Sequence, residues 1–532
     1  MALTSSLETE RKYDVDESVQ VPDLGALGTV ETAEPITLRA VYYDSTDGRL
    51  AARLITLRRR TGGSDDGWHL KTPAEGGRTE YHAPLHSDAG EPPTTILEPV
   101  RALLRRRAVV EIARLVTQRT RTILRGDSGE ALAEIADDVV SATDVQTGIL
   151  RLWREWEVEL LPGAPGERLP REALLDAVEE KLRAAGAVPS ASASKLARAT
   201  GRSSLSPDGN GRGSGDSVSG ASPALEVATV VVADLLERIL SADPLVRRDE
   251  PDAVHSMRIL VRRLRSVLGA FGEIFDPAVT RDVREHLRQL GDVLGSARDT
   301  EVRRQRAVDA IAAVGDRPGT QNESQNPAAT LQRRLVDDAL GEYGAHFNEL
   351  SEFLTSDGYF DLLDELELLV ARPPVTTLAL APAKKVLRRA IRREARRARR
   401  RLKAAVAAGG AWGAGHDAQK DAAGLEALHS ARKAVRRLRY LSEALSGSVA
   451  PVFGGKTVAL GDAAKQLQDA IGEHRDATLF IAHLDLLSRE ATEAGEDAAG
   501  FGTLAAREQR NADAALSGLE KDIGALTSAA RA

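Results

Sequence analysis

Glu8, Glu10 and Lys12 alternate in an extended segment, and the period of two of a strand puts all three side chains on one face. Arg58 with Arg60, Arg119 with Arg121, and Glu157 with Glu159 share that spacing. One such pair is usually a solvated strand face. Four of them within the first 160 residues point to charges gathered inside a sheet, because charged side chains are seldom buried unless paired or bound to something. The Arg and Lys set suits neutralisation of a polyphosphate chain, and clustered carboxylates suit a hard divalent cation such as Mg²⁺ or Mn²⁺. Such a cation bridges phosphate oxygens and polarises the phosphorus that water attacks.

A second basic pattern lies downstream. His255-Ser-Met-Arg258-Ile-Leu-Val-Arg262-Arg263-Leu264-Arg265 is repeated as His429-Ser-Ala-Arg432-Lys-Ala-Val-Arg436-Arg437-Leu438-Arg439, and Leu294-Gly-Ser-Ala-Arg298-Asp299 is echoed by Ile471-Gly-Glu-His-Arg475-Asp476. At about 100° per residue, His255, Arg258, Arg262 and Arg265 fall within about 80° of a helix surface, with Met257, Leu264, Val267 and Leu268 on the core side. A third cluster, Lys384 to Lys403, carries twelve Lys or Arg against the single acid Glu394. Its Lys384, Arg388, Arg392 and Arg396 recur every four residues as a rail for a polyanion. Like charges at that spacing repel by a few tenths of a kcal/mol each, so a ligand or neighbouring acids must offset them. Each His is open to three readings: a core residue, a charge that appears below about pH 6.5, or a metal ligand. The last has least support, since no other ligand sits at ligand spacing on that face.

The elements that position these groups differ between the two ends. Thr37–Tyr43, Arg53–Arg60, Gly67–Lys71, Thr79–Pro84, Arg114–Leu124 and Trp153–Leu160 read as short strands, with helices at Glu98–Arg107 and Arg171–Ala185. This is an α+β half built on an antiparallel sheet or closed barrel. Residues 201–223, rich in Gly and Ser, read as a flexible linker. From Ala224 the period is helical, giving an all-α bundle with an internal two-fold repeat, its halves at about 224–370 and 375–530. Gly315–Asn326 and Gly409–Gly415 read as loops.

The 532 residues carry 72 basic and 79 acidic side chains, a net charge of -7, which alone argues against an anionic partner. Residues 1–200 hold 26 basic and 32 acidic groups (-6) and 224–532 hold 44 and 45 (-1), so any anion site is a matter of clustering. The absence of Cys excludes a disulfide scaffold, a thiol nucleophile and a Cys-based zinc site. Aromatics at 4 % leave a core of Ala, Leu and Val, which favours helices. No run is long and apolar enough for a membrane span and no leader stands at Met1–Gln20, so a cytoplasmic protein is expected.

Glu8-x-Glu10-x-Lys12, Tyr42-Tyr43-Asp44-Ser45, Leu57-Arg58-Arg59-Arg60, Trp68-His69-Leu70-Lys71, Arg78-Thr79-Glu80, Arg119, Glu157-Val-Glu159 and Ser194-Lys195-Leu196, in that order, resemble the CYTH superfamily of triphosphate tunnel metalloenzymes over residues 1–200. The resemblance implies an eight-stranded antiparallel tunnel that processes triphosphates with Mg²⁺ or Mn²⁺. Lys12, Arg58, Arg60, Lys71, Arg119 and Lys195 would hold phosphate and Glu8, Glu10, Glu157 and Glu159 the metal. Arg39, Glu80, Arg121 and Asp137 are secondary candidates. The two His-x-x-Arg-x-x-x-Arg-Arg-Leu-Arg copies resemble the CHAD domain over about 224–530. That resemblance implies inorganic polyphosphate bound by His255, Arg258, Arg262, Arg263, Arg265, His429, Arg432, Arg436, Arg437 and Arg439, with Arg298 and Arg475 in addition.

The reading expected is a triphosphatase, hydrolysing inorganic triphosphate or a related triphosphate, with polyphosphate held nearby. The alternative is a binding protein associated with polyphosphate granules. Adenylate cyclase chemistry shares the resemblance, but no feature selects a base. Nucleic acid is disfavoured because the Arg-rich helix lacks interleaved aromatics for stacking.

Overall fold

The computed structural model describes residues 3–74, 76–85, 90–192, 194–201, 218–312, 327–408 and 418–531. The chain divides into two compact units, Met1–Gly215 and Asp216–Ala532. The expected loops at 315–326 and 409–415, and most of the expected linker, lie outside the described residues.

In the first unit the strands are β1 (Thr4–Glu8), β2 (Glu10–Asp14), β3 (Thr29–Thr32), β4 (Ile36–Ser45), β5 (Thr56–Thr61), β6 (Gly67–Ala74), β7 (Gly77–Pro84), β8 (Val109–Arg125), β9 (Ala131–Asp144), β10 (Leu150–Leu160) and β11 (Val188–Pro189). All pair antiparallel, in the order β1-β7-β6-β5-β4-β8-β9-β10-β2-β11, with β3 beside β8. β1 and β2 are one segment interrupted at Thr9. β1 pairs with β7 and β2 with β10, so the sheet curls until both ends meet on Thr4–Asp14. Closure of this kind leaves an inner face that side chains of one parity must fill.

The short helices α1 (Thr94–Leu97) and α2 (Arg101–Leu104), with the 3-10 turn Glu98–Val100 between them, replace the single helix expected at Glu98–Arg107. Arg105 ends α2 with a positive φ of 56°. The strand expected from Arg53 starts only at Thr56, because Ala51–Arg53 is a 3-10 turn closed by left-handed Leu54. α3 (Arg168–Ala184) lays Leu175, Val178 and Leu182 on the outer face of the sheet against Tyr13, Ile135, Trp156 and Val158. α4 (Lys195–Thr200) is N-capped by the Ser194 hydroxyl, which accepts from Ala197 N.

The second unit is helical: α5 (Ala224–Arg247), α6 (Ala253–Ala270), α7 (Pro277–Ala312), α8 (Pro327–Gln332), α9 (Asp338–Thr355), α10 (Asp357–Ala371), α11 (Ala383–Ala408), α12 (Ala418–Ser446), α13 (Gly455–Glu493), α14 (Ala499–Leu516) and α15 (Leu519–Ala529). α6 packs on α7 as α12 packs on α13, and α6 meets α12 across the repeat. The starts of α5 and α11 face each other: Ala224 N donates to Ala381 O and Ala383 N to Ser222 O around the Pro223–Pro382 bridge. The core side read for α6 is buried, with Met257, Leu264, Val267 and Leu268 all fully enclosed. No described helix is long and apolar enough to cross a membrane.

Candidate functional site

Parity on the curled sheet decides what lines its interior. A cavity of about 220 Å³ is lined by Glu8, Glu10 and Lys12 from β1 and β2, Arg58 and Arg60 from β5, Lys71 from β6, and Arg78 and Glu80 from β7. Arg119 and Arg121 of β8, Glu134 of β9, Glu157 and Glu159 of β10, and Lys195 of α4 complete the wall. All ten first-rank tunnel candidates are thus brought together, with Glu80 and Arg121 from the second rank.

Two second-rank candidates do not join them. Arg39 is exposed, because Leu38 and Tyr42 carry the inward parity of β4. Asp137 faces outward and is held by Arg154 at 2.8 and 2.7 Å; its neighbour Asp138 takes the inward place. Two adjacent Asp residues in one strand must point to opposite faces, and a strand whose register is unknown does not say which is which.

The interior is a network of ion pairs. Arg119 grips Asp138 through two bonds of 2.7 and 2.6 Å and Glu157 at 2.7 Å. Lys195 reaches Asp138, Glu155 and Glu157 at 2.9, 2.7 and 2.6 Å. Burial disfavours the charge of Lys195, but Asp138, Glu157 and Glu155 outweigh it and raise its pKa. Lys12 bonds Glu157 and, at 2.9 Å, Glu10. Lys71 holds both oxygens of Glu8 at 2.5 Å. Arg121 meets Glu134 at 2.7 Å, and Arg60 pairs with Asp65 at the cavity rim. Burial, then Arg58 and Arg119, lower Arg60 to about 9.

Glu159 stands apart. It has no counter-ion among the described residues and lies directly opposite Glu10 across β10 and β2. Burial, then Glu8, push its carboxyl up to about 7, against Lys71 and with further help from Glu10 and Glu134. Like charges directly opposite are destabilising, so Glu8, Glu10 and Glu159 form an oxygen-donor set short of positive charge. A hard divalent cation fits such a set. Among the described residues the acidic group whose oxygens lie at ligand spacing is instead Asp138, Glu155 and Glu157, and it already surrounds the ammonium of Lys195. Asp138, Glu155, Glu134, Arg78 and Asp65 were not among the sequence candidates. Glu155 was legible, since it shares the parity of Glu157 and Glu159.

In the helical unit, Arg258 of α6 donates to Asp299 at 2.6 Å and to the Gly295 carbonyl at 3.3 Å. Its counterpart Arg432 lies against Gly472 and beside Asp476. Between them Arg262 and Arg436 face one another with no carboxylate in ion-pair range among the described residues, and the Nε of each is buried without a partner. Burial, then Arg262, Arg432 and Arg265 against Tyr440, bring Arg436 down to about 10. The pKa of His255 is lowered by burial, Arg298 and Arg262, and that of His429 by burial, Lys433 and Arg475.

The other motif arginines have different neighbours. Arg263 and Arg439 share Glu443, and both lie over the Tyr440 ring. Arg437 turns to buried Glu394 at 3.9 Å, and Arg265 lies near Arg284 and Arg436. On α11, Lys384, Arg388 and Arg392 line one basic cavity, whereas Arg396 lines another with Arg397, Arg400 and Arg437. The rail divides because each four-residue step rotates about 40° around the helix.

Residues 6–200 match the CYTH domain family and residues 230–485 the CHAD domain family. The chain is 36% identical over 542 residues to the uncharacterized protein Rv2226 of Mycobacterium tuberculosis H37Rv, covering 99% of this chain and 97% of that one. The chain belongs to the CYTH–CHAD family. Among solved structures, PptA from Streptomyces chartreusis is similar at 21% identity and a TM-score of 0.42, covering 58% of this chain and 100% of that one. The CHAD domain from the plant Ricinus communis is similar at 20% identity and a TM-score of 0.38, covering 60% of this chain and 96% of that one. The β-unit is therefore the CYTH domain, and the helical unit carries the CHAD domain.

Proposed function

We propose that the CYTH tunnel hydrolyses inorganic triphosphate or a related triphosphate with Mg²⁺ or Mn²⁺, and that the CHAD domain binds inorganic polyphosphate. The observation that carries the first half is Glu159, a partly buried carboxyl without a counter-ion among the described residues, beside Glu8 and Glu10 in a cavity that Lys12, Arg58, Arg60, Lys71, Arg119 and Lys195 also line. Glu8, Glu10 and Glu159 would hold the cation, with Glu157 next to them between Lys12, Arg119 and Lys195. When bound, the cation supplies charge neutralisation and polarisation of the phosphoryl group. Arg58, Arg60, Lys71 and Arg119 clamp phosphate oxygens and hold the chain in line for attack by water. Lys12 and Lys195 fix the carboxylates, so that the site changes shape little as the substrate enters.

For the CHAD domain the support is the facing pair Arg262 and Arg436, whose mutual repulsion a polyanion would relieve. Phosphate release from tripolyphosphate with Mn²⁺ is expected in wild type and is expected to fall at least about a hundredfold when Glu157 and Glu159 are both changed to Ala. Equal background rates in both proteins would leave a polyphosphate-binding protein without turnover.

A further inference from the structure

His69 sits in the tunnel wall, on the inward parity of β6 with Lys71, and is 2% exposed. Its Nδ1 lies 3.0 Å from Glu80 Oε1 and its Nε2 3.0 Å from the backbone carbonyl of Asp65. A carbonyl oxygen only accepts, and so does an ionised carboxylate. A neutral imidazole has one N–H and satisfies one of these two contacts. Both are satisfied only when the His69–Glu80 pair holds one more proton, on the ring or on the carboxyl.

The groups facing the pair decide whether it is there. From β5 come Arg58, with Nη2 3.7 Å from Glu80 Oε1, and Arg60, which pairs with Asp65. On β6, Lys71 stands 3.7 Å from the same oxygen, its other partner being Glu8 of β1. From β7, besides Glu80, His82 lays its ring 4.8 Å from the ring of His69, with its Nε2 buried and unpartnered among the described residues. With the tunnel free of anion, burial and the charges of Arg58 and Arg60 lower His69 to about 4 against the pull of Glu80, and the extra proton is absent at pH 7. An incoming polyanion cancels the charge of the two arginines that oppose it.

We propose that His69 and Glu80 form a proton-linked positioning pair: filling the tunnel with a phosphate chain draws one proton from solvent onto the pair, closes both hydrogen bonds, and locks Glu80 against Arg58 and Lys71. The inference rests on the triphosphate reading of the tunnel and adds to it a residue that senses the substrate charge without touching the reacting phosphorus.

Titration calorimetry of the full chain with tripolyphosphate, without added divalent cation and in two buffers of different ionisation heat, reads the protons taken up. Wild type is expected to take up close to one more proton near pH 7 than His69→Gln, whose amide donates but does not titrate. The protonation of tripolyphosphate itself is common to both proteins and cancels in the difference. Wild-type affinity should then weaken between pH 6 and 8 more steeply than that of the variant, by up to about tenfold per pH unit. Glu80→Gln, which donates to Nδ1 and leaves the ring needing only its Nε2 proton, should abolish the same difference and stands in if His69→Gln does not fold. Equal uptake in wild type and variants overturns the proposal while the phosphate-release assay stands. Loss of both binding and phosphate release in wild type overturns the proposal together with the triphosphate reading.

Discussion

Two groups lining the tunnel respond to their surroundings in opposite ways, and each makes a measurable prediction. Glu159 has its folded pKa raised to about 7 by burial and by Glu8. Between roughly pH 4.5 and 7 the folded chain therefore binds a proton that the unfolded chain has lost, and stability without divalent cation should fall as pH rises through that window. Urea midpoints from pH 5 to 8 test this, and Glu159→Gln should remove the fall. Lys195 is the converse case: three carboxylates converge on its ammonium. Lys195→Met leaves them unbalanced and should cost about 3–5 kcal/mol at pH 7, with partial recovery near pH 5 as the acids take up protons. A variant as stable as wild type at pH 7 would show that the three acids do not depend on this ammonium.

Within helices α6 and α12 the repeated motif contains arginines of two kinds. Arg439 is held by Glu443 at 2.7 Å and by Asp469 at 3.7 Å, whereas Arg436 is pressed among other arginines. Arg436→Gln should therefore raise stability by about 1 kcal/mol in the absence of ligand and weaken polyphosphate binding. Arg439→Gln should lower stability and change binding little. Thermal melts with and without long-chain polyphosphate separate the two. If Arg436→Gln is destabilising and binds normally, the facing stripes are structural. Sequence reasoning read these helices well because a stripe at three- and four-residue spacing is a local property. It missed strand β9 altogether, since Ala131–Asp144, ALAEIADDVVSATD, is rich in Ala and Asp, which are poor strand formers. That segment is a strand because β8 and β10 flank it in register, a reason that no local window contains.

Over the whole chain, the two units are separately compact and carry separate clusters of basic side chains. Heating should give two transitions, one raised by tripolyphosphate with Mn²⁺ and the other by long-chain polyphosphate, each by about 2.7 kcal/mol at a hundredfold excess over Kd. A single transition moved equally by both ligands would place one site in the chain instead of two. Segregation of charge within a nearly neutral total is legible in the residues alone: alternating acids and bases on strands, repeated arginine stripes on helices, and a change of period near residue 224. These follow from the backbone repeat, which is local. Which charges are left over depends on the folded arrangement. It set Asp138 inward in place of Asp137, filled one acidic group with Lys195 and left Glu159 bare, and brought Arg262 against Arg436 from 174 residues away. The choice of partner depends on strand register and helix packing, and these are fixed only when distant segments meet.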